Sequence, residues 1–128
     1  MAGTNEKTVK EKLLPNLYGY ERIRKNCYQK PKIIDFEKAI VREIFELFTE
    51  DRLSANSIAI AINTQNEQIN AKVTKFTSHF VLRILRRIQY SGRYKTHAGD
   101  IEPSDIYQKI IEPKTYDLAQ TILLERET

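Results

Sequence analysis

Five apolar side chains, Ile40, Val41, Ile44, Phe45 and Phe48, recur at the three- and four-residue steps of an α-helix and fall on one stripe. A stripe that wide cannot stay in water, so the chain must supply other elements to cover it. Asp35 just ahead is a good N-cap, and Glu37 falls in the first turn, where the helix dipole favours an acid. The spacing predicts a helix over 36–51. Three partners follow. A short helix over about 55–63 is capped by Ser54 and carries Ile58 and Ile62 one turn apart, with Ala59 and Ala61 small enough to admit another helix. A polar stretch over 63–75, rich in Asn and Gln, reads as loop. Thr77 or Ser78 then caps a third helix running to about Ile88, with Phe80, Val81, Ile84, Leu85 and Ile88 as its buried stripe. Ser91-Gly92 breaks that helix, 93–96 alternates as a strand, His97-Ala98-Gly99-Asp100 signals a turn, and 107–111 reads as the returning strand. Pro113 suits the first position of a last helix, whose inner stripe is Tyr116, Ala119, Ile122 and Leu123.

The expected fold is therefore mainly α with a small β-hairpin, arranged like a winged helix-turn-helix. Residues 1–34 lack a sustained period and read as a basic leader or linker with a turn at Tyr18-Gly19-Tyr20, leaving 35–128 as the helical domain. A chain of 128 residues is one domain, long enough for a real core. No apolar run approaches the ~20 residues of a membrane span. The first thirteen residues are polar and charged, without a signal-peptide segment. Cys27 stands alone, so no disulfide framework is expected and a reduced, cytoplasmic setting is the default. One Cys with two His (His79 and His97) cannot close a four-ligand zinc site, so neither metal nor cofactor is expected.

The net charge of +4 is modest, but its sign alternates along the chain. Residues 1–34 hold eight Lys/Arg against three acids, and 35–73 hold four against seven. Residues 74–98 hold Lys75, Arg83, Arg86, Arg87, Arg93 and Lys95 with no acid, and 99–128 hold three cations against seven acids. A surface with such blocks suits a polyanion. At 100° per residue the third helix turns His79, Leu82, Arg83 and Arg86 away from its buried stripe, with Lys75 just before it and Arg87 at its edge. A helix presenting Arg outward can enter the DNA major groove, where Arg reads guanine through two parallel hydrogen bonds. A capped helix ahead of it gives a helix-turn-helix order, although the connector of about thirteen residues exceeds the usual ~3–4. Arg93 and Lys95 would lie on a wing, near phosphate.

Several segments together are more specific. They are Tyr18-Gly19-Tyr20, Ile40-Val41-Arg42-Glu43-Ile44-Phe45-Glu46-Leu47-Phe48, and Ile58-Ala59-Ile60-Ala61-Ile62-Asn63. Phe76-Thr77-Ser78, Val81-Leu82-Arg83-Ile84-Leu85-Arg86, Tyr90-Ser91-Gly92, and Ile110-Ile111 with Tyr116 continue the series. In this order, over roughly 15–126, the chain resembles the recombinase domain of the large serine recombinases, the serine integrases. It departs at Arg87-Ile88, where the family usually has Asn-Pro. The resemblance implies sequence-specific binding of double-stranded DNA at part of an attachment half-site, during site-specific recombination and integration of a mobile element. It also implies a longer parent, a dimer or tetramer on DNA. That parent would have an N-terminal serine catalytic domain before this one and a zinc-bearing domain with a coiled-coil insertion after it. The family's leader runs along DNA near the minor groove, a role that fits Lys7, Lys10, Lys12, Arg22, Arg24, Lys25, Lys30 and Lys32. The DNA-contacting set expected is Lys75, Ser78, His79, Arg83, Arg86, Arg87, Arg93, Lys95, Arg22, Arg24 and Lys25.

Catalysis is not expected on this chain. Ser54, Ser57 and Ser78 sit at helix starts, Ser91 in a turn and Ser104 beside Pro103, none with an orienting His. A tyrosine recombinase would place His and Arg three apart, and His79 and Arg83 are four apart. No glycine-rich phosphate loop can be built from four glycines. Two other classes stay open: a stand-alone winged-helix transcription regulator, and a protein-interaction module docking through Leu82 and Ile60.

Overall fold

Helix α1, Asp35–Thr49, forms on the stripe, and all five stripe residues are buried. The computed structural model describes residues 11, 14, 16–22, 30–68 and 75–127. The N-cap is Ile34 rather than Asp35, which is the first helical residue. Asp35 and Glu37 still lie in the first turn, where unpaired N–H groups favour negative charge. Glu37 also reaches back to accept the Gly19 N–H at 2.8 Å, which occupies its carboxylate.

Helix α2, Ala55–Gln68, starts at the expected cap, with Ser54 Oγ accepting the Ser57 N–H at 3.1 Å. It runs past 63 to Gln68, so part of the presumed loop is helical. The reason lies in Asn66, buried in line with Ile58, Ala59 and Ile62, while Thr64, Gln65 and Glu67 face water. Polar residues of this kind cost a helix only a few tenths of a kcal/mol, which packing readily offsets. Helix α3, Ser78–Arg86, is capped by Thr77, whose side chain accepts the Phe80 N–H. It stops short of Ile88 because Arg87 is extended (φ −85, ψ 107), and a 3-10 turn, Ile88–Ser91, follows. Gly92 at φ 72 closes that turn in the left-handed region.

Strands β1, Arg93–Lys95, and β2, Ile101–Pro103, form an antiparallel hairpin with Tyr94 opposite Glu102. The returning strand expected at 107–111 is thus corrected to Ile101–Pro103. Tyr107, Ile110 and Ile111 instead enter the core, and the N–H groups of Ile110 and Ile111 both go to the Tyr90 carbonyl. Helix α4, Pro113–Glu127, opens on Pro113 and buries Tyr116, Ala119, Ile122 and Leu123 against α1 and α3. Near its end Arg126 lies 4.7 Å over the Phe48 ring and donates to the Arg52 and Leu53 carbonyls, latching α4 to the end of α1.

The core also takes in residues ahead of α1. Leu17 and Tyr20 are buried, and Tyr20 bridges Ile33 in antiparallel fashion. Gly19 adopts φ +104, and a Cβ there would stand 3.2 Å from Ile110 Cδ1. Tyrosine hydroxyls peg this segment down: Tyr90 donates to the Tyr18 carbonyl, Tyr20 to Gln108 and Tyr107 to Leu14. Burial pushes the phenols of Tyr18, Tyr20, Tyr90 and Tyr107 up, which keeps them protonated. Among the described residues no helix is long and apolar enough to cross a membrane.

Candidate nucleic-acid interface

Helix α3 is held from three sides. From α2, the Asn63 amide clamps the Phe76 backbone twice, Nδ2 to the carbonyl and Oδ1 from the N–H, each at 2.8 Å. This clamp ties the residue just ahead of the α3 cap to the body of α2, so a connector too long for an ordinary turn still sets α3 against α2. From α4, Tyr116 Oη donates to the Arg86 carbonyl at 2.9 Å and Gln120 Nε2 to the Leu85 carbonyl at 2.6 Å. These are carbonyls of the last turn, which lack a helical partner. Burial pushes the Tyr116 phenol up from 10.0 to about 12, against the lowering effect of Arg93, so it remains a donor. From the segment before α1, the Tyr18 ring meets Phe76 and Phe80 edge-on at 5.5 and 5.7 Å.

With Val81, Ile84 and Leu85 buried, Ser78, His79, Arg83 and Arg86 face water, as does Lys75 before the helix. Leu82 and Arg87 are half-buried at the edges, and a shallow depression of about 260 Å³ is bounded by His79, Leu82, Arg83, Arg86 and Arg87. His79 Nε2 lies 3.3 Å from Arg83 Nη2, one turn along. Among the described residues none of Lys75, Arg83, Arg86, Arg87 or Lys95 has a carboxylate within ion-pair distance. Arg83 and Arg86 also complement the negative C-terminal end of the helix dipole.

A trench of two adjoining clefts runs beside this face, sharing Asn16, Leu17, Tyr18 and Phe80. Arg83 and Arg87 line one end and Arg22 the other, so the structure brings exposed Arg22 onto the flank of α3. Arg24 and Lys25 lie outside the described residues. Lys95 is exposed on β1. Arg93 is not: its guanidinium pairs with Asp117 at 2.9 Å, binds Ser91 Oγ at 2.9 Å and lies 5.7 Å over the Tyr116 ring. The hairpin also carries acids, at Asp100 and Glu102, which fall in the acidic block that begins at 99. Desolvation, then Glu102, Glu11 and Asp105, all push the Tyr94 phenol up. Among the described residues no three of His, Cys, Asp and Glu gather into a metal-ligating group.

The Asn63 clamp, the Tyr116 and Gln120 caps and the Arg93 strut went unread in the sequence. Their partners lie 13 to 35 residues away, beyond any local pattern.

Among the described residues, four helices and a hairpin that follows the most basic of them define a small, mainly helical fold, and comparison with known proteins narrows it. The Recombinase family profile matches residues 35–126, and the chain belongs to that family. The fold is similar to the crystal structure of an LSR–DNA complex, with a TM-score of 0.63 and 18% identity over 91% of this chain and 33% of that one. It is similar, too, to a structure from work on the sequence requirements of the Listeria innocua prophage attP site. There the TM-score is 0.65 and the identity 16%, over 97% of this chain and 50% of that one. The chain thus spans between a third and a half of the length of these two proteins. No curated protein sequence matches it.

Proposed function

We propose that this domain binds double-stranded DNA sequence-specifically, laying the outer face of α3 in the major groove to recognise part of an attachment half-site during site-specific recombination. The observation that carries this reading is the face itself: Arg83 and Arg86 exposed, free of carboxylates among the described residues, on a helix braced from three sides. A helix is about 10–12 Å across with its side chains, and a major groove about 12 Å wide admits it. Lys75, Ser78, His79 and Arg87 border the same face, with His79 placed to orient Arg83. Lys95 and Arg22 supply phosphate contacts on either flank, and in this reading Arg24 and Lys25, outside the described residues, add their charge to DNA binding. Family membership and the likeness to an LSR–DNA complex support the same choice.

Breaking and rejoining DNA belongs, in this reading, to another domain of a longer parent that assembles as a dimer or tetramer on its sites. Three of the five serines have structural employment: Ser54 caps α2, Ser91 Oγ donates to the Ile88 carbonyl, and Ser104 Oγ accepts the Ile106 and Tyr107 N–H groups. The test is selection from a randomised duplex pool, followed by titration of the winning duplex at several salt concentrations. One motif should emerge, and affinity should fall with salt at a slope of about −0.9 per phosphate contact. A pool that stays random, with partner binding indifferent to salt, would instead mark an apolar protein-docking module.

A further inference from the structure

Arg93 belongs to the acid-free block of sequence, yet its charge is used inside the fold. Its side chain is 22% exposed, against 63% for its partner Asp117. Each group it touches is fastened elsewhere. Ser91 Oγ, which takes the Nε hydrogen bond, itself donates to the Ile88 carbonyl in the turn that follows α3. Tyr116, under the guanidinium, donates to the Arg86 carbonyl, and Asp117 is the next residue on α4. The backbone of Arg93, meanwhile, opens β1 opposite Pro103, which has no N–H to give the ladder. One backbone bond, from the Ser104 N–H to the Gly92 carbonyl, closes the base of the hairpin.

We propose that Arg93 is a positioning residue for DNA recognition: it fixes the angle of the hairpin against the end of α3, where Arg86 sits, and does not itself touch phosphate. This rests on the reading that α3 faces DNA. To reach a phosphate the guanidinium would have to leave Asp117, Ser91 and the Tyr116 ring together. An exposed ion pair alone holds weakly, but a planar fork satisfied in three directions fixes geometry in a way an ammonium cannot.

The alternative, a phosphate ligand restrained by Asp117, predicts the opposite response to losing the acid. The experiment compares Arg93→Ala, Arg93→Lys, Asp117→Asn and the double variant Arg93→Ala/Asp117→Asn on selected and scrambled duplexes, with hairpin amide exchange measured in the free proteins. If Arg93 positions, Arg93→Ala and Asp117→Asn each lower the preference for the selected duplex by about two- to fivefold. The double variant loses no more than either alone, and Arg93→Lys recovers part of the loss. The salt slope stays put, and hairpin amides exchange faster in both single variants. If Asp117→Asn binds DNA more tightly, or Arg93→Ala flattens the slope by about 0.9, Arg93 is a phosphate ligand and the proposal is wrong. Wild-type protein that prefers no duplex overturns the DNA reading itself, and that result is in hand before any variant is compared.

Discussion

Helix α3 and strand β1 come from one acid-free stretch of chain, yet the fold uses their arginines in opposite ways. The backbone of α3 is clamped by Asn63, capped by Tyr116 and Gln120 and flanked by Tyr18, so Arg83 and Arg86 are not needed to hold it in place. The hairpin has strands of three residues, with Ile101–Pro103 exposed throughout, and it draws Arg93 inward for support. Acids gather around it as well, at Asp100, Glu102 and Asp105. A cation that anchors its own element is not available to a ligand. On that ground we propose α3 as the reader and the hairpin as an accessory that offers Lys95.

Base should undo the supports of α3 altogether. Folding raises the Tyr116 phenol from 10.0 to about 12, and burial also pushes up Tyr18, Tyr20 and Tyr90. A phenol whose folded value lies above its unfolded one favours the folded state while protonated. That stabilisation is therefore whole below about pH 10 and is lost as pH climbs through the raised values. Phenolate absorbance and loss of helical circular dichroism should rise together above about pH 11. Phenols that all titrate near 10 with helix content unchanged would mean that tyrosines do not brace the reader.

Asn63→Ala should cost about 2–3 kcal/mol in urea denaturation, because both polar groups of the buried Phe76 backbone lose their partner. A cost under about 0.5 kcal/mol would remove the clamp from the account. Tyr116→Phe deletes only the hydrogen bond to the Arg86 carbonyl and should cost about 1 kcal/mol by the same measurement. Lys95→Ala, on the accessory side, should change stability by less than about 0.5 kcal/mol while flattening the salt slope by about 0.9. A slope left untouched would deny the hairpin even that contact.

The two long stripes were legible because burial there is periodic: every predicted inner residue of α1 and α4 is buried. The hairpin's return was not. Tyr107, Ile110 and Ile111 look like a strand because they are apolar, and they are apolar because they join the core. Ile101–Pro103 carries no alternation to find, being exposed throughout. The outward face of α3 could be listed from spacing alone, since exposure on a helix is again periodic. What could not be listed was which cations are free. Arg83 and Arg93 look alike in sequence, and Asp117, 24 residues on from Arg93, makes the difference.

The central claim is that the outer arginines of α3 read base edges. Arg83→Ala and Arg86→Ala should be titrated against the selected and a scrambled duplex, with Arg42→Ala as the reference. Arg42 Nε donates to the Ile110 carbonyl at 3.0 Å, so its loss should lower stability without altering preference. A bidentate Arg–guanine contact discriminates by ~1–3 kcal/mol, so at least one α3 variant should lose about fivefold or more in preference. If both keep full preference while Arg42→Ala loses it, α3 is not the helix in the groove.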